Sequence, residues 1–224
     1  MKLDFSILTG YLPLFRSGLW ITLQFTLLSM VVGFALGFIL ALIKVSKSKF
    51  LAPLRWFATF YTSVFRGTPQ LVQLFIIYYA TPQLFGYSIP ELNAAVICFG
   101  LNSAAYISET LKGGILGIDK GQFEASKALG IGYIRTMLFI ILPQALKITL
   151  PALVNECISL LKGSSLVSTI GVMDLMRASQ KTVAATFHAF EPYLLVALIY
   201  YIVVMALTQV SKLLERKVRK SDTN

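Results

Sequence analysis

The chain has 224 residues, 56% of them hydrophobic and 13% charged, with 20 Lys and Arg against 10 Asp and Glu and a net charge of +10. Soluble domains carry about a quarter charged residues, and a nucleic-acid binder spreads its basic residues over a polar surface. Here they cluster between long apolar runs, which argues against a soluble domain or a nucleic-acid partner and fits a membrane protein whose loops hold the charge.

Residues 17–43 include no charge, and these 27 residues make a helix of about 40 Å, enough to cross a hydrocarbon core of about 30 Å with some tilt. A cleaved secretory signal would carry an apolar run of only about 7–15 residues followed by a small-residue cleavage site, and neither feature is present. Gly33 and Gly37 form a GxxxG in this span; it permits close helix approach, although glycine pairs are common in membrane helices. The second apolar run starts after Arg55, is interrupted by Arg66, and continues uncharged over 67–88. Gly67, Thr68 and Pro69 predict a broken or kinked helix there, because proline lacks a backbone donor and glycine adds freedom.

A third span is predicted over 92–108, a weaker fourth over 150–167 with Glu156 and Lys162 inside it, and a fifth over 192–211, followed by a basic tail at 212–220. The fold class is therefore an all-α integral membrane protein with about five transmembrane helices. Five crossings put the termini on opposite sides. Lys and Arg number 14 on the face formed by the 44–55 linker, the 109–147 segment and the tail, against 5 on the other face. The positive-inside rule makes the 14-charge face cytoplasmic, an N-out, C-in arrangement.

The loop between spans three and four is too long to be a mere connector. Asp119 followed by Gln122 predicts a capped helix starting at Lys120, Gly130 is placed to end it in a left-handed cap, and a second helix over about 133–142 is expected to stop near Pro143. The result would be a helical knob, showing Phe123, Glu124 and Lys127 to a docking partner.

Glu124-Ala125-Ser126, Gly130, Ile140 and Leu142-Pro143 stand at the spacing of the EAA signature, and the chain resembles the permease subunits of bacterial ATP-binding-cassette importers. Segments 66–73 (RGTPQLVQ), 102–109 (NSAAYISE), 113–115 (GGI), 142–146 (LPQAL) and 155–168 are similar to the polar-amino-acid branch of that family. The resemblance covers about residues 10–215 of a single permease domain, 1–224. It implies the type I importer permease fold, with the loop of about 112–147 carrying the coupling helix, on which Glu124, Ala125, Ser126 and Gly130 fall. It also implies two copies of a cytoplasmic ATP-binding subunit, a second permease that is identical or homologous, an extracytoplasmic binding protein, and a place in the inner membrane. No cofactor is implied in this chain, and no GxxxxGK[ST] is present. A polar or basic amino acid such as arginine is the favoured cargo.

Ionisable groups inside a membrane are costly and point to function. Arg66 reads as an interfacial snorkelling residue or a structural cation at the helix break, with a functional role as the alternative. Thr68 and Gln70 flank the break, where freed backbone groups bind ions, and Glu156 has no cation at i±3 or i±4, so its partner is Arg66, water or a substrate ammonium. The candidate pathway residues are Thr68, Gln70, Asn155, Glu156, Ser159 and Ser164. The family often reads Lys-Asp-Thr/Ser-Ser-Leu after the glutamate, whereas this chain has Lys162-Gly163-Ser164-Ser165-Leu166 and lacks the second acid. His188 reads as an interfacial residue. Cys98 and Cys157, 59 positions apart, suggest neither a disulfide nor a metal site, and no nucleophile–base set points to an enzyme. Two alternatives remain open: a partner permease that binds no substrate itself, and a channel or secondary transporter.

Overall fold

The computed structural model describes residues 3–221, with side chains described as far as Arg216; Lys217, Arg219 and Lys220 of the basic tail lie outside the described side chains. Among the described residues the secondary structure is helical throughout, with no strand. After a 3-10 turn, Phe5–Tyr11, helix α1 (Leu12–Val45) leads to α2 (Ala52–Gly67), α3 (Gln70–Phe75) and α4 (Thr81–Phe85). Then come α5 (Glu91–Leu116), α6 (Lys120–Ala128), α7 (Tyr133–Thr136), α8 (Leu142–Gly163), α9 (Leu175–Thr186) and α10 (Phe190–Ser221).

Among the described residues, four helical stretches are long and apolar enough to cross a membrane: Phe5–Val45, Glu91–Leu116, Tyr133–Ile170 and Phe190–Arg216. The second predicted crossing is helical but divided. The chain breaks at Thr68 and Pro69, both extended, as the Gly-Thr-Pro sequence led us to expect.

One boundary differs from expectation. Pro143 does not stop the second loop helix, because α7 runs through a π-helical turn, Met137–Ile141, straight into α8. The ring of a proline collides with the carbonyl four residues back, and a widened turn relieves that collision. The same device precedes Pro82, where a π-helical turn spans Ile76–Ala80. The expected fourth span therefore merges with the second half of the loop.

Helix α5 is the axis of the bundle. It packs along α1 and against α2, α3 and α8, and Phe25, Leu74, Cys98, Phe99 and Leu160 form a buried cluster joining four helices. Lipid tails are as apolar as these side chains, so close van der Waals packing, rather than removal from water, holds that centre together. At one end, Phe15, Leu175, Ala178 and Val196 tie α1, α9 and α10. Glu191 adds a polar tie there, its Oε1 accepting the Asp4 amide at 2.9 Å and facing His188 Nδ1 at 3.4 Å. His188 thus contacts the first turn of α10. At the other end, Ile115, Ile118, Met137 and Ile141 seat the loop helices on α5. Trp20, Leu27, Val31, Tyr201 and Ile202 stay exposed on α1 and α10, faces that lipid or another subunit would cover.

Candidate translocation site

Thr68 and Gln70 from the α2–α3 break, Asn102 and Tyr106 from α5, and Glu156, Ser159 and Leu160 from α8 line a cavity of about 340 Å³. A larger recess, about 810 Å³, is lined by α1 alone, from Leu12 to Leu23, and is a groove on an apolar helix face.

The break shapes the cavity wall. Carbonyls at the end of α2 lose their helical donors, and side chains replace them. The Thr68 hydroxyl donates to the Val64 carbonyl at 2.8 Å. Gln73 Nε2 donates to the Phe65 carbonyl at 2.9 Å and to Thr68 Oγ1 at 2.7 Å. Asn102 Nδ2 donates to the Phe65 carbonyl at 3.1 Å and to Gln73 Oε1 at 2.9 Å, so α5 fastens the broken segment.

Across the cavity stands Glu156, with Ser159 and Leu160 one turn along on the same face of α8. Arg66 does not neutralise it: among the described residues the two form no ion pair, and the guanidinium lies over the Tyr106 ring, 5.4 Å from its centroid. The cavity lining therefore holds one carboxylate, two amides and three hydroxyls, while the exposed Arg66 guanidinium rests on the Tyr106 ring outside that lining. This combination can take an ammonium on one side and a carboxylate on the other, which is the chemistry of a free amino acid.

Four of the six expected pathway residues line the cavity: Thr68, Gln70, Glu156 and Ser159. The other two stand elsewhere. Asn155 is exposed on α8, rotated about 100° from Glu156 by the helix, and Ser164 is fully buried, donating to the Leu161 carbonyl at 2.7 Å and facing the Tyr200 hydroxyl at 2.8 Å. Asn102, Tyr106 and Gln73 were not among the expected pathway residues. The available signal was the one-turn spacing of Asn102 and Tyr106 inside an apolar span. At Gly163 a side chain would meet Phe99 Cε1 at 2.9 Å and Gln70 Oε1 at 3.7 Å, so the Phe99 ring occupies the space where a second acid would stand.

At the bundle end, α6 begins as expected at Lys120. Asp119 Oδ1 accepts the Gly121 amide at 2.8 Å, so the side-chain cap reaches the second helical residue rather than Gln122. The helix closes with Gly130 at φ 72°, its amide donating to the Lys127 carbonyl at 3.0 Å and that of Ile131 to the Ser126 carbonyl at 2.9 Å, a Schellman motif. Ser126 is buried, its hydroxyl donating to the Gln122 carbonyl at 2.7 Å, while Phe123 packs on the cluster under α6. Phe123 thus anchors the knob instead of being shown to a partner. Glu124, Ala125, Lys127 and Gly130 face outward, and Leu129 supplies the exposed apolar contact.

A family profile described as "Binding-protein-dependent transport system inner membrane component" matches residues 15–220. The chain belongs to this family. It is 46% identical to the arginine transport system permease protein ArtQ of Bacillus subtilis, over 99% of this chain and 100% of that protein. It is 45% identical to a putative glutamine transport system permease protein, GlnP, of Rickettsia conorii, over 89% of this chain and 90% of that one. A crystal structure of an amino acid ABC transporter with histidines superposes with TM-score 0.90 at 41% identity, covering 97% of this chain and all of the other. The MetNI methionine transporter shares the fold alone, with TM-score 0.79 at 24% identity.

This permease is the transmembrane subunit of an amino-acid ABC importer in the bacterial inner membrane. It has the type I importer fold, and ATP is hydrolysed by a separate subunit. An ATPase, a partner permease and a binding protein belong to the assembly of this family.

Proposed function

We propose that the cavity between the α2–α3 break, α5 and α8 is the amino-acid site of the translocation pathway. The observation that carries this is Glu156, a carboxylate on the cavity wall with no cation at i±3 or i±4 and no ion pair to Arg66. An acid inside a membrane is stable only when it faces a partner or water, and every free amino acid brings an α-ammonium. Arg66, on Tyr106, is positioned to attract the α-carboxylate. Thr68, Gln70 and Ser159 complete the polar lining.

A polar or basic amino acid, arginine first, is the cargo we favour; the 46%-identical relative is named for arginine. The end bearing α6 faces the cytoplasm, and Glu124, Ala125, Ser126 and Gly130 form the element seated on the ATPase, two copies of which serve a permease pair. The test is a labelled amino-acid panel on the co-purified transporter in vesicles. Glu156→Gln keeps shape and removes charge, so affinity for the preferred amino acid falls while assembly is normal. Unchanged affinity and rate would overturn the assignment.

A second reading has support in Gly163, where Phe99 takes the place of a side chain. In a hetero-pair the partner permease would then bind the cargo. Under that reading Glu156→Gln transports normally, and substitutions in the partner do not.

A further inference from the structure

Lys44, near the end of α1, is a buried ammonium with only 2% of its side chain exposed. An ammonium has three donors, and here each is used on another helix. Lys44 Nζ donates to Thr62 Oγ1 of α2 at 2.8 Å, to Ser108 Oγ of α5 at 3.2 Å and to Glu109 Oε1 of α5 at 2.6 Å. The other Glu109 oxygen lies 3.6 Å from Lys112 Nζ. One cation thus knots three helices at a single level.

The position of the knot gives it a use. Asn102, Tyr106 and Glu109 fall at i, i+4 and i+7 along one face of α5, so the face that lines the cavity continues directly to the knot. Beyond Glu109, α5 ends at Leu116, and only residues 117–119 separate it from α6. The knot therefore sits on α5 between the cavity and α6.

We infer that Lys44 and Glu109 are positioning residues for coupling: they lock the α6 end of α5 to α1 and α2, so that a displacement of α6 moves the cavity wall instead of being lost as sliding between helices. Coupling through packed helices needs an element shared by both sites, and this ion pair makes three helices one body. The inference rests on the reading that α6 meets the ATPase.

The test uses the whole transporter, with its ATPase and binding protein, reconstituted in vesicles. In the double variant Lys44→Met/Glu109→Gln both charges go together, leaving no buried ion unpaired, and such replacements are commonly tolerated. Thr62 and Ser108 keep acceptors of their own in the Thr59 and Ala105 carbonyls, at 3.1 and 2.9 Å. The double variant is expected to co-purify with the ATPase and bind the amino acid with unchanged affinity, while amino acid moved per ATP falls by about fivefold or more, the lower end of usual coupling factors. Lys44→Arg, which keeps the charge, is expected to retain most of that ratio.

An unchanged ratio in the double variant overturns the inference. Loss of assembly or of amino-acid binding overturns it too, since the pair would then be part of the fold alone. Failure of the underlying α6 reading shows differently, as Glu124→Ala and Gly130→Asp variants that keep both ATPase retention and coupling.

Discussion

Gly33 of α1 lies so close to Ser103 of α5 that a Cβ on the glycine would stand 2.8 Å from Ser103 Cβ and 2.9 Å from its Oγ. One turn along, a Cβ at Gly37 would lie 2.9 Å from the Ala104 carbonyl oxygen and from Ile107 Cβ. The two helices meet there almost backbone to backbone, and the GxxxG is their seam. Replacing Gly37 by Val should force the helices apart and destabilise the permease by roughly 1–3 kcal/mol, the usual cost of overpacking. Gly113→Ala on α5, where a Cβ meets nothing within 4 Å, should be neutral or stabilise by a few tenths of a kcal/mol. Thermal unfolding of both variants in detergent checks the pair; equal effects would contradict the seam.

The left-handed Gly130 makes a second expectation. A side chain there meets no neighbour within 4 Å, so any cost arises from the backbone at φ 72°. Gly130→Ala should cost about 1 kcal/mol by that strain alone. Gly130→Asp adds charge on the surface α6 presents, and should reduce transport much further while the permease still inserts. Uptake and ATPase stimulation in vesicles measure both.

Gln73 fastens the helix break through its amide nitrogen, which donates to Phe65 and Thr68. Gln73→Leu removes the donor to Thr68 and one of the two donors to the Phe65 carbonyl, takes from Asn102 Nδ2 its Gln73 Oε1 acceptor, and should cost roughly 1–3 kcal/mol. Gln73→Glu places a carboxylate against the Phe65 and Thr68 carbonyls and should be worse, despite its nearly identical shape. A smaller loss in Glu than in Leu would show that packing, not hydrogen bonding, holds the break.

Asp174, before α9, caps that helix by accepting the Arg177 amide at 2.9 Å, but its other oxygen is buried without a partner among the described residues. Burial pushes its carboxyl up to about 6, against the backbone amides and Arg177, which favour ionisation. The folded state then holds a proton between about pH 6 and 4 that the unfolded chain has already lost, so stability should rise as pH falls through that window. Asp174→Asn keeps the capping oxygen and removes the titration. Relative to the native protein, its advantage in melting temperature should be largest at pH 7 and shrink toward pH 4; a pH-independent difference would disprove the account.

Sidedness is checked by reporter fusions. A cytoplasm-active reporter should work after Lys127 and an export-active one after Lys181, since basic residues are concentrated at the α6 end. The opposite pattern would reverse the assembly proposed here.

Short-range chemistry was legible in the sequence. Gly67-Thr68-Pro69 specifies a break because its causes are local: a missing amide donor and a restricted backbone before proline. Asp119 and Gly130 mark both ends of α6 for the same reason, and uncharged length marks the membrane helices. Pro143 misled because a π-helical turn, Met137–Ile141, absorbs its collision, and no local signal announces such a turn. Asn155 and Glu156 are adjacent in sequence but differ in placement, since helix phase alone decides which of them faces the cavity. Tertiary packing alone brought Gln73 to Asn102, Arg66 over Tyr106 and Lys44 to Glu109, which are 65 positions apart. Such pairs depend on how whole helices cross, and crossing is set by the summed fit of many small contacts, such as Gly33 on Ser103, which no single stretch of sequence encodes.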